Sequence, residues 1–185
     1  WLNRATLYFA LKNHDAAISD ATRALSIDPA LVTALLSRGM SLIATKQFAL
    51  AIEDFTRALA LRPDDDVALI ERGRARAGSD DHEGALQDFE RGLAVNPKSA
   101  VGWTQVALLR SRRGEHDLAL AAYDRVIELS DGDGVAYHRR ALVHKALGDT
   151  DAARVDWERA LSLIDRNDRL RITVSEHLRE LRGER

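Results

Sequence analysis

Three of the six histidines, His14, His82 and His116, stand at intervals that are multiples of 34 residues. Imidazole is a common zinc ligand, so a recurring histidine is the first chemistry to weigh. Zinc draws its ligand atoms to roughly 2.0–2.1 Å, whereas equivalent positions of neighbouring helical units lie about a helix diameter apart, so joint coordination is not expected. Asp131-Gly132-Asp133-Gly134 resembles the start of a calcium loop. Val135 then follows where another oxygen ligand is needed, and Leu142 replaces the closing glutamate, which leaves a turn as the expectation. Arg4, Arg38, Arg72 and Arg140 share one register and Asp20, Asp54, Asp88 and Asp156 another, while the fourth copy carries Val106 and Ala122. Residues present together and lost together point to contact between them, as structural ion pairs. Arg23, Arg57, Arg91, Arg125 and Arg159 lie three residues beyond the aspartate register, where i to i+3 pairs on a solvated helix face account for them. No glycine loop for phosphate, no cysteine and no Ser, His and carboxylate arrangement stands out, and acidic pairs such as Glu53-Asp54 fall on solvated surfaces. Catalysis, a cofactor and a metal are therefore not expected.

The spacing of these residues reflects the elements that carry them. Residues 32–65 read VTALLSRGMSLIATKQFALAIEDFTRALALRPDD, and Pro29, Pro63 and Pro97 mark the same 34-residue period. Leu35, Leu36, Gly39, Leu42 and Ile43 form one apolar helical stripe, and Ala51, Ile52, Phe55, Leu59 and Leu61 a second. A short polar break separates them, near Lys12-Asn13, Lys46-Gln47, Asp80-Asp81, Gly114-Glu115 and Gly148-Asp149 in successive units. Each unit is thus a helical hairpin. Small residues occupy two registers throughout, Ala17, Ala51, Ala85, Ala119 and Ala153, and Ala5, Gly39, Gly73, Ala107 and Ala141. They mark close helix crossings, with Phe55, Phe89, Tyr123 and Trp157 filling the space between hairpins. The units run 1–31, 32–65, 66–99, 100–133 and 134–167, in one domain. Residues 168–185 keep the phase, with Val174, Ser175, Leu178 and Leu181 inward and Arg169, Arg179, Glu180 and Arg182 outward, as a capping helix requires.

Composition agrees with a folded chain, at 45% hydrophobic and 30% charged residues. A net charge of −2 argues against generic attraction to nucleic acid or an anionic membrane surface. No apolar run approaches the roughly 18 residues needed to span a bilayer. The absence of cysteine leaves the compartment open, with the cytoplasm favoured. The chain opens mid-helix at Trp1, and the expectation is that more chain precedes it.

A 34-residue helical hairpin with Trp or Leu, Gly or Ala, Ala, aromatic, Ala and Pro in this order resembles the tetratricopeptide repeat, over about five units from Trp1 to Asn167. Arg76, Arg110 and His144 depart from the pattern at a register that holds Tyr8 and Leu42. The resemblance implies an all-α fold, a right-handed superhelix of stacked antiparallel helix pairs, whose first helices line a concave groove that binds peptides. The inward registers then carry Leu2, Thr6 and Phe9; Thr33, Leu36, Met40 and Ile43; and Val67, Ile70, Arg74 and Ala77. They continue with Val101, Thr104, Leu108, Ser111 and Arg112, then Val135, His138, Leu142 and Lys145. Arg74, Arg112, Lys145 and a protonated His138 would favour a partner protein or peptide with apolar and acidic residues. Alternatives are self-association or intramolecular docking through the open N-terminal end, or recruitment of a substrate to a larger enzyme. The family's carboxylate clamp is absent, because its registers hold Leu2, Thr6, Ser37, Val67 and Glu71. An asparagine ladder is absent too, as only Asn3 fits among Asn3, Ser37, Glu71, Gln105 and Arg139.

Overall fold

The computed structural model describes residues 1–130 and 133–183. They form helices without a strand, in two compact units, 1–97 and 98–185. The first unit holds α1 (Leu2–Ala10), α2 (His14–Ile27), α3 (Val32–Ala44), α4 (Phe48–Leu61), α5 (Asp66–Gly78) and α6 (His82–Val95). The second holds α7 (Ala100–Arg112), α8 (His116–Leu129), α9 (Gly134–Ala146), α10 (Thr150–Leu163) and α11 (Arg169–Arg182). The division falls between the third and fourth repeats.

Each hairpin turns in the same way, for a reason visible in the backbone. The first helix ends with a left-handed residue at Lys12, Lys46, Asp80, Gly114 and Gly148. The next residue's N–H then bonds back to the last turn, Asn13 to Tyr8 at 2.8 Å, Gln47 to Leu42 at 2.8 Å and Asp81 to Arg76 at 2.9 Å. Glu115 to Arg110 at 2.9 Å and Asp149 to His144 at 3.0 Å repeat the pattern. This is the Schellman closure of a helix C-terminus. The same residue then caps the next helix where its side chain is short enough, as Asn13, Asp81 and Asp149 do for α2, α6 and α10. Asp15, Glu83, Asp117 and Asp151 add carboxylates to the first turns of α2, α6, α8 and α10, at their positive ends.

Both small-residue registers lie at the crossings. Ala17, Ala51, Ala85, Ala119 and Ala153 are fully buried, as are Ala5, Ala107 and Ala141. Gly39 and Gly73 face the fully buried rings of the first unit. A Cβ on Gly39 would stand 2.6 Å from Phe55, and one on Gly73 2.5 Å from Phe89. These rings therefore seat inside their own hairpins, and Phe55 also joins Ala75 of α5, so the expected filling between hairpins is only part of their role. Across the joints, Ala24 and Leu25 of α2 pack with Val32, Ala34 and Leu35 of α3, and Ala58 and Leu59 of α4 with Ala68 and Leu69 of α5. Since α3 also touches α1 and α5, the first helices share one side of this unit. In the second unit Val174 and Leu178 of α11 close over Ala141, Trp157 and Ala160. Arg169, Arg179 and Glu180 stay exposed, so α11 covers the last hairpin as the pattern of residues 168–185 implies.

Replacing Ala85 by Leu is expected to overpack the α5–α6 crossing and to lower stability by about 1–3 kcal/mol in urea denaturation. Lys46→Gly relieves a left-handed lysine and is expected to raise stability by up to about 1 kcal/mol in the same measurement.

Candidate functional site

The charged registers resolve first, because their geometry separates scaffold from surface. Arg38 donates from Nε and Nη2 to the two oxygens of Asp54 at 2.7 and 2.6 Å. Arg72 grips Asp88 at 2.8 and 2.7 Å, and Arg140 grips Asp156 at 2.8 and 2.6 Å. Arg4 makes the same fork to Asp20. The aspartates are nearly sealed, and the hydrogen bonds of the fork, aided by the paired charge, hold the Asp20 carboxyl below its ordinary range and push the Arg38 and Arg140 guanidinium groups up. The remaining donor of three of these arginines reaches back one hairpin, to Thr22 from Arg38, Thr56 from Arg72 and Asp124 from Arg140. Planar, bidentate geometry of this kind is the reason for arginine in the register. In the fourth hairpin Val106 and Ala122 are buried, an apolar replacement of the whole pair.

The arginines three residues beyond those aspartates require a correction. Only Arg57 comes within ion-pair distance of its i−3 partner, 4.0 Å from Asp54. Its Nη2 donates instead to the Pro29 carbonyl at 3.0 Å, and Arg91 donates to the Pro63 carbonyl at 2.7 Å. Arg125 pairs forward with Glu128, while Arg23 lies over the Trp1 ring and Arg159 over Tyr137. Long side chains here reach neighbouring groups, because each aspartate is already charge-paired with a first-helix arginine, though not filled, as Asp88 takes Arg76 as well as Arg72. Arg76, Arg110 and His144, the departures from the repeat pattern, are absorbed as polar links. Arg76 binds Asp88 at 3.0 Å, Arg110 pairs with Glu115, and His144 lies 3.9 Å from Asp156.

His14, His82 and His116 each open a second helix, with Nδ1 buried and unbonded. Among the described residues no three His, Asp or Glu side chains gather as metal ligands. Asp131 and Gly132 of the calcium-like segment lie outside the described residues, and Asp133 caps α9 through the N–H groups of Val135 and Ala136. No described helix is long and apolar enough to cross a membrane.

The first-helix registers split by exposure. In the first unit Leu2, Phe9, Leu36, Met40 and Ile43 are half-buried, Thr6, Thr33 and Val67 exposed, and Ile70 is buried behind them at 4% exposure, its side chain against Gly92 of α6. Arg74 is not a free cation, because both Glu71 oxygens accept from it at 2.9 and 2.7 Å. In the second unit Val101, Arg112, Val135, Leu142 and Lys145 are exposed and Thr104 and Leu108 half-buried. Lys145 donates to Glu180 of α11 at 2.9 Å.

His138 is the clear reversal. It is 8% exposed, and its Nδ1 accepts the Trp157 indole N–H at 3.1 Å. His177 of α11 stacks on both rings, 4.9 Å from Trp157 and 5.8 Å from His138. Burial, with His177 and Arg139 nearby, pulls the His138 pKa from 6.5 to about 4, so the expected groove cation is a neutral acceptor. Sequence reasoning missed Glu71, Trp157, His177 and Glu180 as partners. Only the i, i+3 spacing of Glu71 and Arg74 gave a signal.

The sequence profile of the tetratricopeptide repeat matches residues 2–66, 36–101 and 70–134, and a second profile of that repeat matches 135–167. The chain belongs to the tetratricopeptide repeat family. Among solved structures, MamA shares 26% identity with this tetratricopeptide chain at a TM-score of 0.74, over 85% of this chain and 92% of that one. TTC0263, a thermophilic TPR protein in Thermus thermophilus, is 23% identical with a TM-score of 0.80 over 96% of each chain. PilW, a type IV pilus biogenesis factor, is 19% identical with a TM-score of 0.87 over 98% of this chain and 84% of its own. The last two show the fold alone. No curated protein matches the chain at a significant level. Tetratricopeptide arrays generally mediate contacts between proteins, and this one carries the helix pairs of that fold.

Asp88→Ala strips a sealed partner from Arg72 and Arg76, and a loss of about 3–5 kcal/mol in urea denaturation is expected. For His138, the unfolded imidazole takes its proton near pH 6.5 and the folded one only near pH 4. Between these values the unfolded chain holds the extra proton. Stability is therefore full above pH 6.5 and falls with acid, by at most about 1.4 kcal/mol per pH unit. Thermal melts at pH 4 and pH 7 should show a smaller difference in His138→Asn, whose amide accepts the indole N–H without titrating.

Proposed function

We propose that this tetratricopeptide chain is a protein-interaction module without catalytic activity, binding a peptide segment of a partner along its first-helix wall. The observation that carries this reading is the half-buried apolar strip of Leu2, Phe9, Leu36, Met40 and Ile43 in the first unit. Apolar side chains of this size left partly open on a rigid helical surface are suited to anchor alternate residues of a bound segment. Polar side chains such as Thr6 and Thr33 border the strip and can meet its backbone.

The charge preference is narrower than residue types imply. Glu71 neutralises Arg74 and Glu180 neutralises Lys145, which leaves exposed Arg112 of α7 as the wall cation best placed for a partner carboxylate. Leu108 and Leu142 provide apolar contact in the same unit. The first unit then suits an apolar segment, and the second a segment with an isolated acidic residue rather than an acidic run.

Affinity capture with the wild-type chain and with Phe9→Glu, Arg112→Glu and Leu142→Glu tests this. Proteins retained by the wild type should be lost from the wall variants and kept by Val155→Glu, at an exposed position of α10. Retention by all four variants would overturn the wall as the binding surface.

A further inference from the structure

The internal copies disagree at one point with a chemical consequence. In the third hairpin the Arg76 guanidinium lies 3.0 Å from Asp88 Oδ2, donates to the Gly84 carbonyl at 3.1 Å and sits 3.7 Å from Asp81. One repeat earlier the same register is Leu42, and the residues 34 places before those partners are Asp54, Leu50 and Gln47. Leu42, Gln47, Leu50 and Asp54 line a cavity of about 210 Å³, together with Ile18 and Thr22 of α2 and Arg38 and Glu53. Leu42 packs with Ala51, Phe55 and Ala75, and so leaves open the space that a guanidinium fills in the next hairpin.

The carboxylate at its base has the capacity to bind. Asp54 is 2% exposed and accepts Arg38 in the same fork that Asp88 accepts from Arg72. Asp88 then takes Arg76 as well. A carboxylate offers about four lone-pair sites, so the bond made by Asp88 to Arg76 has an equivalent at Asp54. The lining charges sum to −1, from Asp54, Glu53 and Arg38, because Arg38 directs its donors to Asp54 and Thr22. Arg57, 4.0 Å from Asp54, donates to the Pro29 carbonyl. Exposed Glu53 places the second negative charge outside the sealed base, and half-exposed Leu50 with Ile18 offers an apolar flank.

We propose that this cavity between α2, α3 and α4 is a second binding site, which takes the arginine side chain of a partner polypeptide. The aliphatic stem lies along Ile18 and Leu50, and the planar guanidinium takes the place that Arg76 occupies in the following repeat. An ammonium is a poorer fit, since the copy in the third hairpin uses separate guanidinium nitrogens toward Asp88 and Asp81. The site uses none of the wall residues, so it stands apart from the peptide reading above.

The test uses n-butylguanidinium, a guanidinium on a four-carbon stem, titrated into the full chain while the methyl resonances of Ile18 and Leu50 are followed by NMR. Saturable shifts are expected, with none from butylurea, its neutral counterpart. Glu53→Lys, a substitution at an exposed position, should weaken binding by roughly tenfold or more. Leu42→Arg should abolish it by filling the cavity from within, with circular dichroism confirming the helices. Unsaturable shifts, or equal affinity in the wild type and Glu53→Lys, would overturn the proposal even if Leu42→Arg failed to fold.

Discussion

The structure depends on how closely the two helices of each hairpin approach. Ala17, Ala51, Ala85, Ala119 and Ala153 are sealed completely, and the opposing first-helix register holds only Ala or Gly. A side chain of ordinary length at either register would separate the axes and open the contacts that follow from them. The trade is explicit at Gly39 and Gly73, where the absence of a Cβ admits the rings of Phe55 and Phe89. In the first hairpin Ala21 stands in the aromatic register and Ala5 faces it, so the crossing is kept without a ring.

With the axes this close, the arginines of the first helix reach the aspartates of the second, and a polar staple accompanies the apolar crossing. Each fork satisfies a carboxylate that burial would otherwise penalise. The third donor of Arg38, Arg72 and Arg140 then ties consecutive hairpins together. The fourth hairpin shows the alternative. Its apolar Val106 and Ala122 avoid the desolvation of both charges, in keeping with the general finding that a buried pair and a packed apolar replacement are close in stability.

The same reach of long side chains governs the surface. Arg57 and Arg91 are drawn to proline carbonyls, Arg74 to Glu71 and Lys145 to Glu180, so much of the cationic character counted in the residues is consumed within the molecule. What stays open at the surface is the apolar strip of the first unit, exposed Arg112 in the second, and the acidic cavity beside Asp54. These differ in chemistry and in the side chains that form them.

The period of 34 residues, the position of every hairpin break and the pairing of the Arg and Asp registers were legible in the chain itself, because they depend on local periodicity and on residues that change together across internal copies. The left-handed turn residues also follow the breaks, although Lys and Asp serve at three of the five. Where a long side chain goes was not legible. His138 and Ile70 share one register with Leu2, Leu36 and Thr104, yet burial in each case is set by what α6, α10 or α11 places beside it. The neutral state of His138, the partners of Arg74 and Lys145 and the cavity left by Leu42 were decided by tertiary packing, since each depends on distances between helices rather than on spacing along one.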